Sequence, residues 1–261
     1  MKKQGKQGRG RDRRIQGGQY KNQSWHEEIG GFQPNPPTQR VQTEPLSGRT
    51  EKQKRYISAI DNFDLVIADG PAGTGKTYVC AAKAADMLMA NKVKKIVITR
   101  PAVEAGESLG FLPGELEDKF DPYLTPFREV LEERLGKSHV ENLIKNGKIE
   151  ASPLAYMRGR TFKDSFVILD EAQNTTPNQM KMFLTRIGTG SKVVVNGDIA
   201  QRDVRGMCGL EDAIRRIKHI PAVKHVRFSK EDIVRSGLVQ EIISAYDVPE
   251  HELKQLIPPN S

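Results

Sequence analysis

The chain has 261 residues, 37% of them hydrophobic and 6% aromatic, with a formal charge of +8 from 41 basic and 33 acidic side chains. That length suits one ordinary core plus tails, and so few aromatics imply that part of the chain lies outside any core. No apolar run approaches the roughly 20 residues of a membrane helix, the charged N-terminus lacks a secretory apolar stretch, and Cys80 and Cys208 are too few for a disulfide framework or a metal pattern, so a cytoplasmic, membrane-free setting is expected.

Residues 1–47 are rich in Gln, Gly, Pro, Asn and Arg, contain Pro34, Pro36, Pro37 and Pro45, and have no sustained hydrophobic period. They read as a disordered arm. Its first 22 residues hold Lys2, Lys3, Lys6, Arg9, Arg11, Arg13, Arg14 and Lys21 against Asp12 alone, which accounts for nearly all of the net charge. Such an arm either keeps the chain soluble or attracts phosphate backbones by counterion release. The alternation of Arg and Gly favours RNA. The folded part is expected over 48–250, with 251–261 as a frayed tail.

Five strands are predicted: Leu65–Ala68, Lys95–Thr99, Phe166–Leu169, Val193–Val195 and Val223–Phe228. The first four are near-continuous apolar runs without strict alternation, the pattern of strands buried on both faces. Helical patterns lie between them, so the fold class expected is α/β: a mostly parallel sheet with helices on both faces.

The first strand leads into Gly70-Pro71-Ala72-Gly73-Thr74-Gly75-Lys76-Thr77, which matches G-x-x-x-x-G-K-[ST], and the Ala-rich run Tyr78–Met89 follows as a helix. Glycines at 70, 73 and 75 allow the backbone N–H groups to close around phosphate oxygens. Lys76 can reach the β- and γ-phosphates, and the Thr77 hydroxyl can ligate Mg²⁺. The helix that follows puts its positive end at the phosphates. The ligand expected is MgATP.

The strand Lys95–Thr99 ends at Arg100, and Tyr156-Met-Arg158-Gly-Arg160 adds two more guanidiniums. At a strand-end rim these suit phosphate, of ATP or of nucleic acid, or else serve as structural arginines. The strand Phe166–Leu169 ends in Asp170 and Glu171. In a parallel sheet its tip faces the same crevice as the phosphate loop. Asp170 would hold the Mg²⁺ through water, and Glu171 would polarise the attacking water. Beyond Asn174 a helix is predicted, capped by Thr176, with Pro177 at its first position, Gln179 completing a capping box, and Gly188 stopping it. The strand Val193–Val195 runs into Asp198 and Gln201, placed to sense a γ-phosphate or simply to satisfy a polar turn. The five histidines show no ligand spacing.

These residues resemble the PhoH (phosphate-starvation-inducible) family. The matching stretches are Ala68–Thr77, Ile98–Glu107, Pro153–Arg160, Phe166–Arg186 and Gly197–Gln201, and with Ile233–Gln240 they span about residues 50–246. The resemblance implies a single RecA-like P-loop NTPase domain related to superfamily 1 helicases, with Asp170–Gln173 as that superfamily's second motif and Gly197–Gln201 as its third. It implies that Gln53 contacts adenine, that Gln201 acts in catalysis, and that Arg235 is an arginine finger. No nuclease domain, which some relatives carry, is expected here.

A helicase hydrolyses ATP between two such domains, and only one fits in this chain. The expectation is therefore a homo-oligomer, a hexameric ring, with Arg235 or another arginine acting in trans, since head-to-tail contacts close into rings. The partner expected is single-stranded RNA. The alternative is an ATP-switched RNA-binding module with little turnover, and a small-molecule kinase is a third reading.

Overall fold

The computed structural model describes residues 44–101, 121–203 and 206–234, and beyond them Gly237, Val239, Ile242 and Tyr246. The arm up to residue 43, the tail 251–261, Arg235 and part of the Ile98–Glu107 stretch lie outside the described residues.

Six parallel strands form one sheet: β1 (Leu65–Asp69), β2 (Lys95–Arg100), β3 (Ile149–Pro153), β4 (Ser165–Leu169), β5 (Lys192–Gly197) and β6 (Val223–Arg227), in the spatial order β3-β2-β4-β5-β1-β6. One strand, β5, thus lies between β1 and β4. Its register puts Ile67 beside Val195 and Val195 beside Leu169.

Alternate residues of the strands feed two separate cores. Val66, Ala68, Ile96, Ile98, Phe166, Ile168 and Val194 face one side, and Leu65, Ile67, Val97, Val167, Leu169, Val193 and Val195 the other. The helices α1 (Glu51–Asn62), α2 (Lys76–Met89), α3 (Asp121–Leu135) and α4 (Lys137–Lys145) cover the first face, and α5 (Pro177–Leu184) and α6 (Gly209–Ile217) the second. Burial on both sides explains why the central strands read as unbroken apolar runs. Leu46 packs on the first core and Arg134 donates to the Glu44 carbonyl at 2.8 Å, so the chain from 44 onward lies on the folded body.

The caps follow their sequence signals. Thr50 accepts from the Gln53 N–H at the start of α1, and Thr176 and Gln179 form the reciprocal capping box of α5 with Pro177 in its first turn. That helix ends at Leu184, not at Gly188. Residues beyond it turn back to the sheet, where the Phe162 N–H donates to Arg186 O at 2.9 Å and Ile187 bridges Phe162. A second difference is β3, Ile149-Glu-Ala-Ser-Pro153, which has no counterpart among the predicted strands. It is an edge strand with two half-buried positions. An edge strand tolerates polar residues and a terminal proline, so it lacks the apolar run by which its neighbours are recognised. No helix among the described residues is long and apolar enough to cross a membrane.

Candidate functional site

All strands being parallel, the C-terminal ends of β1, β4 and β5 open on one rim. β1 passes into Gly70, whose φ is +145° and whose N–H donates to Gly197 O at 3.1 Å. A Cβ there would lie 2.5 Å from the Phe228 carbonyl oxygen and 2.6 Å from its Cβ. The close approach of two backbones requires glycine. Gly73 and Gly75 are also left-handed, at +81° and +82°. Gly75 is the N-cap of α2, and no side chain caps that first turn. Its N–H groups therefore remain directed at the crevice, an arrangement suited to an anion.

The Lys76 ammonium is folded into the loop. It donates to Gly70 O at 2.6 Å and Pro71 O at 2.9 Å, and stands 3.4 Å from the Thr74 hydroxyl. Burial pulls its pKa below the usual lysine range, against the opposing pull of Asp198, Asp170, Asp69 and Glu171. Four carboxylates around one ammonium leave the crevice acidic overall, which a bound cation would offset.

Asp170 stands at the tip of β4, where its N–H donates to Thr99 O at 2.9 Å. One of its carboxylate oxygens, Oδ2, accepts from Arg100 Nε at 3.0 Å and Nη2 at 2.5 Å. Burial raises its pKa, and the Arg100 guanidinium counteracts that rise. Arg100 also stacks over the Phe127 ring, 5.7 Å from the centroid. Glu171 follows in a left-handed conformation, φ +54° and ψ +36°, and is exposed to the crevice. Its Oε2 accepts from Gln173 Nε2 at 2.6 Å, and Gln173 Oε1 accepts the Asp198 N–H at 3.0 Å. One buried glutamine amide thus spans the acidic tip of β4 and the polar tip of β5. The turn Ile199–Gln201 is fixed by Asp69, whose carboxylate accepts the Ile199 N–H at 3.2 Å, and by Asp198, which accepts from Ala200 N at 3.1 Å.

These elements enclose a cavity of about 290 Å³. Of the residues singled out in the sequence, Ala72, Gly73, Gly75, Lys76, Thr77, Asp170, Glu171, Asp198 and Gln201 line it together. Gly70 and Pro71 contribute carbonyls to Lys76 instead, and Thr74 is fully buried with its hydroxyl on Pro71 O at 2.9 Å. Gln53 does not line the cavity. It is buried behind the loop, where Nε2 donates to Thr74 O at 2.9 Å and Oε1 accepts the Arg49 N–H at 2.8 Å. Arg235 lies outside the described residues, but its neighbour Val234 donates to Gly73 O at 2.9 Å. Tyr78 and Gly197 also line the cavity without having been singled out for it. Tyr78 read as part of a helix, and only its place in the first turn after the loop could have marked it.

Chemically, the cavity offers amide N–H groups and an ammonium for a polyanion, two hard oxygen donors in Thr77 and Asp170, and one exposed carboxylate in Glu171. Among the described residues no cluster of three His, Cys, Asp or Glu side chains could bind a metal alone. The donor set fits a small hard cation that keeps water and takes further ligands from a phosphate, as Mg²⁺ does.

Residues 45–247 match the family described as PhoH-like protein. The chain is 51% identical over 212 residues to the PhoH-like protein of Bacillus subtilis (strain 168), covering 80% of this chain and 66% of that protein. It is 51% identical over 208 residues to the protein PhoH of Escherichia coli (strain K12), covering 78% of this chain and 59% of that one. The chain therefore spans about six-tenths of the length of these curated relatives. Among solved structures, the large terminase of a thermophilic bacteriophage superposes with a TM-score of 0.46 at 14% identity, over 79% of this chain and 52% of that one. The Pif1 helicase of Candida albicans does so with a TM-score of 0.41 at 15% identity, over 84% and 49%.

Proposed function

The chain belongs to the PhoH-like protein family, and from that premise we propose that it binds MgATP in the cavity beneath its glycine loop and hydrolyses it in concert with single-stranded RNA. The observation that carries this reading is that Lys76, Thr77, Asp170 and Glu171, nearly a hundred residues apart in sequence, line one cavity. The loop amides and Lys76 hold the triphosphate, and Thr77 and Asp170 hold the Mg²⁺, which when bound neutralises phosphate charge. Glu171 accepts the proton of the attacking water. Asp198 and Gln201 read the γ-phosphate, and Gln173 ties their strand tip to Glu171. Gln53 braces the loop with one N–H of its amide, and the second N–H is the group that would contact adenine.

Single-stranded RNA is the partner favoured by the basic arm. A cytoplasmic setting, expected from the sparse cysteines, belongs to the same reading. The same reading includes a ring of six copies in which an arginine of one copy completes the site of the next, since the described residues contain one nucleotide-binding domain and head-to-tail contacts close into rings. Arg235 is the candidate that the family resemblance gives for that arginine.

A second reading, an RNA-binding module that ATP switches with little turnover, is favoured by one observation: Arg100 already takes an oxygen of Asp170. Phosphate release measured for the wild type and Glu171→Gln, with and without RNA, separates the two. An ATPase shows turnover that RNA raises and the variant loses. Equal, negligible release from both proteins, with ATP still bound, would leave only the switch.

A further inference from the structure

Beneath the phosphate loop, α1, α2 and β5 share a buried polar contact. Strand β5 runs Val193-Val-Val-Asn196-Gly197, and Asn196 keeps none of its surface in solvent. It shares the sheet face of Val194, toward α1 and α2, and lies in register with Ala68 of β1. An amide in such a place is costly unless it is hydrogen-bonded. Its Oδ1 accepts from the Tyr56 hydroxyl at 2.7 Å, and its Nδ2 donates to Cys80 Sγ at 3.2 Å. The Cys80 thiol in turn donates to Thr77 O at 3.3 Å. Tyr56 and Cys80 are equally closed to solvent.

Each partner adjoins a part of the nucleotide site. Asn196 stands two residues before Asp198. Cys80 follows Thr77 by three residues, about one turn along α2. Tyr56 follows Gln53 by the same interval on α1, and Gln53 braces Thr74 O. The Tyr56 ring also meets Phe228 edge-on at 5.6 Å, and Phe228 is the residue against whose backbone Gly70 lies. Asn196, Tyr56 and Cys80 are not among the residues that line the cavity. The main chain ties the start of the loop to β5, through the Gly70 N–H on Gly197 O at 3.1 Å. The Asn196 side chain ties the far end of the loop, the first turns of α2, to the same strand.

Filling this space does not require an amide. Leucine has the same branching and no polar group to satisfy, and replacing a bonded pair by apolar groups of like shape is nearly neutral for stability. What an amide adds is fixed length and direction. Groups that hold metal ligands from behind use that property.

We propose that Asn196 is a positioning residue of the nucleotide site: with Tyr56 and Cys80 it holds the Thr77 turn at a fixed distance from Asp198, so that one rigid frame meets both the cation and the γ-phosphate. This rests on the MgATP reading above and deepens it.

Titration of a fluorescent ATP analogue into the full chain, with and without Mg²⁺, tests the role by binding and not by turnover. The quantity read is the gain in affinity that Mg²⁺ gives. Asn196→Leu should cut that gain by roughly tenfold, the lower end for loss of a metal site's outer partner. It should also lower the melting temperature, because the Tyr56 hydroxyl is left buried without its acceptor. Adding Tyr56→Phe to Asn196→Leu removes that orphan. The double variant should recover the melting temperature and not the Mg²⁺ gain, which separates positioning from stability. Tyr56→Phe alone breaks one bond, should lose a smaller part of the gain, and keeps the test valid if neither protein with Asn196→Leu folds. A wild-type gain in the folded double variant, or in Tyr56→Phe where only that one folds, overturns the role of Asn196 and leaves the MgATP reading standing. A wild-type chain that binds the analogue no better with Mg²⁺ overturns the cation and this role together. Absence of analogue binding to the wild type overturns the MgATP reading itself.

Discussion

Arg100 and Asp170, seventy positions apart, meet at the tips of neighbouring strands, with two guanidinium nitrogens on a single carboxylate oxygen. The Asp170 side chain is 6% exposed and that of Arg100 20%. A carboxylate so placed is costly unless it is paired. The arginine binds Oδ2 and not Oδ1, so the group is held in place while Oδ1 is left by the arginine as a ligand for a cation.

Arg100→Ala should therefore destabilise the fold by about 3 kcal/mol, because it strands a buried charge. Arg100→Lys keeps the charge but not the fork and should cost less. Denaturant unfolding of the three proteins measures this. Identical midpoints would show that Asp170 does not depend on its partner.

Lys76→Ala should abolish turnover and weaken ATP binding. Glu171→Gln should keep binding and cut turnover by about 10²-fold or more, the usual contribution of a general base. A fluorescent ATP analogue and a phosphate-release assay separate the two effects. Comparable turnover in Glu171→Gln and wild type would remove Glu171 from the chemistry.

Gly70→Ala should lower stability by about 2 kcal/mol, since its Cβ would collide with the Phe228 backbone. It should also open the loop and lower ATP affinity. Gly159→Ala is the control: it has open space around it and faces only the left-handed penalty of about 1 kcal/mol. Calorimetric melting of both variants checks the ranking.

His225 on the edge strand β6 gives a pH dependence. Burial lowers its pKa, and its Nε2 is buried without a hydrogen-bond partner. The unfolded chain therefore binds the proton more readily than the folded one. Stability is retained above the unfolded pKa of about 6.5 and is lost as pH falls from there toward the lowered folded value. Asp69, which favours the proton, and Arg227 and Lys218, which oppose it, act on the same ring. His225→Val should flatten the melting temperature across that acidic window. A slope equal to that of wild type would assign the loss to other groups.

Deleting residues 1–22 should weaken RNA binding and flatten its dependence on salt, by roughly 0.7 in the double-logarithmic slope for each phosphate that the arm no longer neutralises. A salt titration of RNA affinity with the truncated and full chains reads this directly. Superimposable titrations would make the arm a solubilising tail.

What could be read from the sequence was local. The phosphate loop declares itself because Gly70, Gly75, Lys76 and Thr77 fill the four fixed positions of its motif within eight residues. The central strands were legible because both faces are buried. Strand β3 was not, since an edge strand carries Glu150 and Ser152 as readily as apolar residues. The pairing of Arg100 with Asp170 and the Gln173 bridge from Glu171 to Asp198 depend on which strands become neighbours. No spacing in the chain encodes that. Gln53 illustrates the same limit: its type suggests a ligand contact, and only the packing of α1 behind the loop shows its amide engaged with Thr74.

The left-handed backbone of Glu171 sets function against durability. A glutamate at φ +54° strains the chain by roughly 1 kcal/mol relative to a residue free to adopt that angle. Glycine at this one position would relieve that strain, offset in part by the greater freedom of the unfolded chain, and under the proposed function it would remove the general base. Under the proposed function, selection for thermal endurance alone would erode the acidic tip of β4, where Glu171 is the one of three left-handed non-glycine residues among those described that also lines the cavity.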